Sequence, residues 1–190
     1  MSIWDLQAPL YHLQRSLWPL SAILRNETNL AARLLASRPQ SNGWALDLGS
    51  GPGHSFPLLP AALERVGVDQ SPAMAKRCRA HHNAVMVVAD ARALPFKADS
   101  FALISAIGLM EYLPSPKPLL TELSRICRSQ GSVLLTISPK GLFTRLRSLG
   151  GARVTVHDLD AVVTAAQRQN LFLSAAVHTF SQQLFLLQKK

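Results

Sequence analysis

The sequence has little negative charge, few aromatic residues and almost no cysteine. Of its 190 residues, 11 are Asp or Glu against 20 Lys or Arg, aromatic residues make up 6%, and there are two cysteines. Cys78 and Cys127 fall in predicted helices and match no metal-binding spacing, so we expect no metal site and a reduced, cytoplasmic chain. Asp5 and the lack of a basic region followed by an apolar one also argue against a signal peptide.

Long hydrophobic runs are missing too. No run approaches the roughly 20 apolar residues that a helix needs to cross a bilayer, so we expect no transmembrane segment. The net charge of +9 leaves contact with an anionic membrane surface open, but the basic residues are scattered. Without an aromatic and basic platform we expect no specific nucleic-acid binding, and a solvated basic surface is the simpler interpretation.

Short apolar runs alternate with helical patterns through the middle of the chain. The runs predict five strands, at 45–48, 65–68, 85–89, 101–106 and 132–137. A helix over about 117–127 separates the last two strands. Strands spaced by helices indicate a parallel sheet covered on both faces, in a single domain that spans 1–190.

The two ends of the chain differ from this middle part, which we delimit as 42–138. Residues 4–37 have a helical pattern and predict an N-terminal cap within 1–40. The remainder, 139–190, predicts a helix that starts at the N-cap Asp158. The segments "LFLSAAVHTF" and "QQLFLLQKK" follow it, close enough to pair as an antiparallel hairpin.

Acidic residues stand at the ends of the first three predicted strands. They are Asp47, Asp69 and Asp90. In open α/β sheets, ligands bind beyond the carboxyl ends of the strands, where three carboxylates would raise one another's pKa. Each Asp could instead cap the next helix, but Asp47 precedes a loop, so capping does not explain all three.

The loop after Asp47 contains Gly49, Gly51 and Gly53 in the stretch "GSGPG". The dinucleotide fingerprint G-x-G-x-x-G would place its third glycine at His54, so the match to a pyrophosphate cradle is imperfect. Asp69 follows at about the distance where an acidic group accepts hydrogen bonds from a ribose diol. The pattern therefore predicts a nucleoside ligand that need not carry a pyrophosphate.

Five segments, in order and spacing, resemble class I S-adenosylmethionine-dependent methyltransferases. They are "LDLGSGPG", "GVDQSPAM", "VVADARALPF", "DSFALISAIGLMEYL" and "LLTELSRICRSQGSVLLTIS". The resemblance is nearest to the small-molecule branch that includes ubiquinone and menaquinone C-methyltransferases. It implies an α/β, Rossmann-like fold with a seven-stranded, mostly parallel sheet, a C-terminal antiparallel hairpin and an N-terminal helical cap. It also implies S-adenosylmethionine as donor and S-adenosylhomocysteine as product.

The resemblance also implies a donor site. In it, Asp47 and the glycines would line the methionine portion, Asp69 would hold the ribose hydroxyls and Asp90 the adenine amino group. Ala106 and Ile107 would lie beside the transferring methyl. The full implied set is Asp47, Gly49, Ser50, Gly51, Gly53, Asp69, Gln70, Met74, Asp90, Ala91, Ala106 and Ile107. Met74 is equally well explained as an ordinary core residue.

The acceptor side is less defined. In-line methyl transfer depends mainly on positioning, so a catalytic base is optional, and the candidates are Tyr112, Glu111 and His54. The N-terminal cap is rich in apolar and aromatic residues, which favours an apolar acceptor, and we place Tyr11 and Tyr112 in its pocket. Pro57 and Pro60 predict that the helix after the glycine loop is short or distorted.

The sequence thus predicts methyl transfer to a small, largely apolar acceptor such as a quinone precursor, a lipid or a secondary metabolite. Two alternatives stay open. One is an RNA or protein methyltransferase, suggested by the positive charge. The other is a non-catalytic binding protein with a methyltransferase fold. The sequence does not distinguish C-, O- and N-methylation, nor does it determine the oligomeric state.

Overall fold

A computed structural model of the chain describes residues 4–5, 20–37, 42–141, 144 and 154–190. Tyr11 lies outside these residues, as does the whole of the predicted N-terminal cap between positions 6 and 19. Within the part that is described, no helix combines the length and the apolar character needed to span a membrane.

The strands are close to those predicted. They are β1 (Trp44–Leu48), β2 (Glu64–Asp69), β3 (Val85–Val88), β4 (Phe101–Ala106), β5 (Cys127–Ile137), β6 (Leu171–His178) and β7 (Gln183–Lys189). The helices are α1 (Leu20–Ala36), α2 (Pro72–His82), α3 (Lys117–Ile126) and α4 (Leu159–Gln167). β5 begins earlier than expected because it continues directly from α3, with Gln130 at a φ of 62° inside it.

All seven strands form one sheet, in the order β3-β2-β1-β4-β5-β7-β6. β1 to β5 run parallel, and β7 pairs antiparallel with both β5 and β6. The predicted mostly parallel sheet with a C-terminal hairpin is therefore confirmed. The strand order reverses between β1 and β4, and such a switch point opens a crevice at the carboxyl ends of the strands.

Each face of the sheet has its own core. One face packs against α3 and α4 through Leu119, Leu123 and Val162. The other packs against α1 and α2 through residues such as Leu34 and Cys78. α1, the larger of the two described parts of the predicted cap, therefore covers a face of the sheet rather than the strand ends.

The chain between β1 and β2 is nearly free of helix, as its prolines predict. It contains one 3-10 turn at Phe56–Leu58, and Pro57 stands inside this turn. Proline lacks the backbone N–H that a longer helix would need. The predicted N-cap of α4 is confirmed as well, because the Asp158 carboxylate accepts a hydrogen bond from the Ala161 N–H.

An ion pair on α3 fastens the loop between β3 and β4. The Arg125 guanidinium donates to the carbonyls of Phe96 and Leu94 at 2.7 and 3.0 Å. It also pairs with Glu122 at 2.7 Å, and Glu122 accepts from the Leu94 N–H at 2.8 Å. The hydrogen bonds from Arg125 hold the pKa of Glu122 below its usual value. One helix thus fixes both ends of this short loop segment.

We predict that Arg125→Ala lowers the free energy of unfolding by about 2 kcal/mol, since it removes charge-assisted hydrogen bonds to two carbonyls. Arg168→Ala, which removes an exposed arginine from the end of α4, should change it by less than ~0.5 kcal/mol. Urea unfolding of both variants measures the difference. Equal effects would show that Arg125 does not fasten the loop.

Candidate functional site

A cavity of about 210 Å³ lies at the carboxyl ends of the central strands. β1 contributes Leu48, β2 contributes Val68 and Asp69, and the loops beyond β3 and β4 complete the wall. The full lining is Trp4, Leu48, Gly49, Gly51, Val68, Asp69, Gln70, Met74, Ala89, Asp90, Ala91, Arg92, Gly108, Leu109, Tyr112, Leu113 and Pro114. This is the crevice that the reversal of strand order creates.

Asp69 joins the glycine turn to the start of α2. One of its carboxylate oxygens accepts from the Gly51 N–H at 2.8 Å, and the other accepts from the Ser71 N–H at 2.8 Å. Burial raises the pKa of Asp69, the two backbone hydrogen bonds lower it, and the charge of nearby Asp5 raises it. A carboxylate has about four lone-pair positions, so Asp69 can still accept hydrogen bonds from a ligand in the cavity.

Asp47 lies behind the turn and is completely buried. Its Oδ2 accepts from the Ser55 hydroxyl at 2.8 Å, whereas Oδ1 has no hydrogen-bond partner within the described chain. Ser50 is also buried and donates to the backbone carbonyl of Asp47 at 2.6 Å. Burial raises the pKa of Asp47 to about 7, although the hydrogen bond from Ser55 lowers it. The carboxyl is thus poised between its neutral and charged forms near neutral pH.

Two glycines of the turn have different roles. Gly51 lines the cavity at a φ of 54°, and a Cβ added there would meet no atom of the described residues within 4 Å. Gly53 is buried at a φ of 98°, and its Cβ would lie 2.4 Å from the His82 ring and 2.8 Å from the Cys78 sulfur. Gly51 therefore leaves the cavity open, while Gly53 lets the turn pack against α2.

The β3 side of the cavity carries an ion pair. Arg92 donates to both carboxylate oxygens of Asp90, the shortest contact being 2.6 Å, and these hydrogen bonds lower the pKa of Asp90. Arg92 lines the cavity but was not among the predicted site residues. Its position two residues after the strand-terminal Asp90 is the only sequence signal that pointed to it.

The wall beyond β4 is apolar. Trp4 packs edge-on against Tyr112, with ring centroids 4.7 Å apart, and Leu109, Leu113 and Pro114 line the cavity beside them. The neighbouring Asp5 accepts a hydrogen bond from the Ser71 hydroxyl at 2.5 Å. The N-terminal residues therefore contact the cavity rim on both sides, at α2 and beyond β4.

Several predicted residues lie away from the cavity wall. Ala106 is fully buried in β4, and Ile107 packs against the α1 and α2 core. His54 is exposed on the turn. Glu111 is fully buried, and its Oε1 accepts from Ser138 at 3.2 Å and from Gln182 at 3.3 Å. Of the three candidate bases, Tyr112 is the one that lines the cavity.

The predicted donor residues divide accordingly. Those brought together at the cavity are Gly49, Gly51, Asp69, Gln70, Met74, Asp90 and Ala91. Asp47, Ser50 and Gly53 form a buried layer beneath the turn. Gly108, with a φ of 67°, lines the cavity without having been predicted, and the signal was a glycine two residues after β4.

The chain resembles known methyltransferases in sequence. A family described as a methyltransferase domain matches residues 46–135. The phosphatidylethanolamine N-methyltransferase of Cereibacter sphaeroides is 30% identical over 100 residues, which are 49% of this chain and 49% of that protein. The chain therefore spans about half the length of this relative.

Solved structures match over more of the chain. A chain from the complex between the Haloferax volcanii Trm112 methyltransferase activator and a methyltransferase has a TM-score of 0.79 at 18% identity. The match covers 99% of this chain and 98% of that one. Magnesium protoporphyrin IX methyltransferase from Synechocystis, solved with bound S-adenosylhomocysteine, has a TM-score of 0.71 at 16% identity, covering 87% and 83%.

The fold is that of the class I methyltransferases, as the five sequence segments predict. Residues 46–135, which contain the end of β1, all of β2, β3 and β4 and most of β5, match the methyltransferase domain family.

The two glycines provide a matched pair of variants. Gly53→Ala should lower the free energy of unfolding by about 3 kcal/mol, because the added methyl meets buried side chains at a positive φ. Gly51→Ala should cost only about 1 kcal/mol, since its φ of 54° lies in the left-handed region that other residues can adopt and the added methyl meets open space among the described residues. Thermal unfolding measures both. Similar losses would mean that packing against α2 does not require Gly53.

Asp47 should make stability depend on pH. Its folded pKa of about 7 lies above the ordinary value of 3.8, so the folded state holds an extra proton between these values. The free energy of unfolding should therefore fall by about 4 kcal/mol as the pH rises from 4 to above 7. In Asp47→Asn this contribution should vanish, and urea unfolding at pH 5 and pH 8 measures it. The same pH dependence in variant and parent would contradict the assignment.

Proposed function

We propose that the protein transfers a methyl group from S-adenosylmethionine to a small, largely apolar acceptor. The observation that carries the proposal is Asp69, which borders the cavity at the end of β2 while holding the bare Gly51 turn at 2.8 Å. A carboxylate at this place is suited to a ribose diol. The bound donor would supply an electrophilic methyl group on a sulfonium.

The residues of this site fit such a donor. Gly51 leaves space toward the cavity where any side chain would intrude. Asp47 and Asp69 place two carboxyl groups near the turn, and Asp69 is among the groups that raise the pKa of Asp47. A cation bound in the cavity would favour the charged form of Asp47. Gln70 and Met74 extend the β2 side of the wall beside the residues that would hold the nucleoside.

The apolar wall supports the proposed acceptor class. Trp4, Leu109 and Leu113 face a cavity whose opposite side carries Asp69 and Asp90. An apolar acceptor would bury its surface against these three side chains, and the two carboxylates would remain available to S-adenosylmethionine. Two of the similar proteins are named for phosphatidylethanolamine and magnesium protoporphyrin IX. Both names denote molecules with large apolar parts, which agrees with the proposal.

Positioning is the main task of this chain's residues. Tyr112 is held by Trp4 on one side, and the turn that carries it is fixed by His157, whose Nε2 lies 3.1 Å from the carbonyls of Met110 and Leu113. Holding two reactants in line can lower the activation barrier by roughly 7–11 kcal/mol without a dedicated base. Where the acceptor must lose a proton, the Tyr112 hydroxyl is the candidate to receive it.

The test is calorimetric titration with S-adenosylhomocysteine. The parent protein should bind it, and Asp69→Ala should bind it about 100-fold more weakly, because two hydrogen bonds to a charged group are lost. Asp160→Ala, which removes an exposed acid from α4, is the control and should bind like the parent.

No binding by the folded parent protein would favour the non-catalytic alternative. Equal affinity of Asp69→Ala and the control would mean that Asp69 does not hold the ribose. Circular dichroism of each variant separates a lost contact from a lost fold.

A further inference from the structure

The outer edge of the sheet beside the cavity combines basic and apolar side chains. We define the basic edge as Lys76, Arg77 and Arg79 of α2 together with Val85 and Val88 of β3. From the structure we propose that this surface binds anionic phospholipid bilayers. This interfacial role is separate from the chemistry of the cavity.

The first observation is the uncompensated positive charge. The chain from Gln70 to Ala89 contains these three basic residues and no Asp or Glu. Asp69 at one end of this stretch is bonded to Gly51 and Ser71 in the cavity wall, and Asp90 at the other end is paired with Arg92. The carboxylates that flank the stretch are therefore engaged elsewhere.

The helix directs this charge outward. Met74, Ala75 and Cys78 of α2 are buried against the sheet. Lys76 lies opposite them, where it is exposed, and Arg77 and Arg79 lie on either flank of the helix. The three cations lie around the outward half of the helix, where Lys76 and Arg79 are exposed and Arg77 is half-buried. Each cation that reaches an anionic bilayer contributes about 1 kcal/mol of attraction.

The second observation is apolar exposure on the adjoining strand. Val85 is 61% exposed and Val88 is 50% exposed, although β3 is a strand of the main sheet. Among the described strands, β3 lies at the edge of the sheet and pairs with β2 alone. Side chains alternate between the two faces of a strand, so Val88 lies on the face that packs against α2, as Met86 does, and Val85 lies on the opposite face of the same edge. Val88 beside the α2 cations matches the two components of a lipid interface, which are an apolar interior and anionic headgroups.

A contact between α2 and β3 favours a membrane as the binding partner of this edge over a strand from another protein. The Arg79 guanidinium donates to the backbone carbonyl of Met86 at 3.1 Å, in the middle of β3. An added strand would need the backbone groups of this edge, and charged side chains that cover an edge oppose such pairing. A bilayer needs only exposed side chains, which Lys76, Arg79 and Val88 supply.

The basic edge also adjoins the cavity. Val88 is followed directly by Ala89, Asp90 and Ala91, which line it. A bilayer bound at this edge would bring a lipid-soluble acceptor next to the site. This last step rests on the proposed function, whereas membrane binding itself does not.

Sedimentation with sucrose-loaded vesicles tests the proposal on the full chain. Vesicles of phosphatidylcholine with phosphatidylglycerol should bind the protein, and vesicles of phosphatidylcholine alone should not. The double variant Lys76→Gln and Arg77→Gln should bind the anionic vesicles about 30-fold more weakly. The control, Lys140→Gln with Arg168→Gln, removes the same charge from other exposed sites and should change binding less than ~3-fold.

A second measurement follows the valines. A polarity-sensitive dye on Val88→Cys should shift its emission to the blue when anionic vesicles are added, and the same dye on Thr164→Cys should not. The native thiols do not compete, because Cys78 and Cys127 are buried and burial raises the pKa of each to about 12.

Three outcomes would overturn the proposal. They are equal loss of binding in the two double variants, equal binding to neutral and anionic vesicles, and binding to RNA but not to vesicles. Since none of these measurements depends on methyl transfer, failure here is distinguishable from failure of S-adenosylhomocysteine to bind.

Discussion

The hydrogen bond from the Gly51 N–H to the Asp69 carboxylate holds the β1 and β2 side of the cavity in place. It is 2.8 Å long and joins residues that are 18 positions apart in the chain. The same carboxylate accepts from the Ser71 N–H, so the turn after β1 and the start of α2 share one anchor. Because a carboxylate can accept several hydrogen bonds, the anchor is also free to hold a ligand.

Around this anchor the cavity has two chemically different walls. The side made by β1 to β3 carries Asp69 and Asp90, with Asp47 buried beneath the turn. The side beyond β4 is apolar and is closed by the contact between Trp4 and Tyr112. A cationic nucleoside and an apolar acceptor would each find a matching surface, and this division supports the proposed methyl transfer.

The structure also separates two consequences of positive charge. Arg92 forms an ion pair within the molecule, with Asp90 at the cavity. Arg79 and its neighbours on α2 lie on the outside, beside exposed valines at the sheet edge. Net charge alone does not distinguish these roles.

The sequence by itself determined the parallel sheet, the C-terminal hairpin and the strand-end acids, because strand period, glycine and proline act locally. It identified Asp69 and Gly51 for the same reason, since both follow directly from strand ends. Only the tertiary structure decided that Glu111 turns toward Ser138 and Gln182, and that α1 covers a sheet face. It alone also paired Arg92 with Asp90 and brought Trp4 to Tyr112. These outcomes depend on packing and burial between distant segments, which no local pattern encodes.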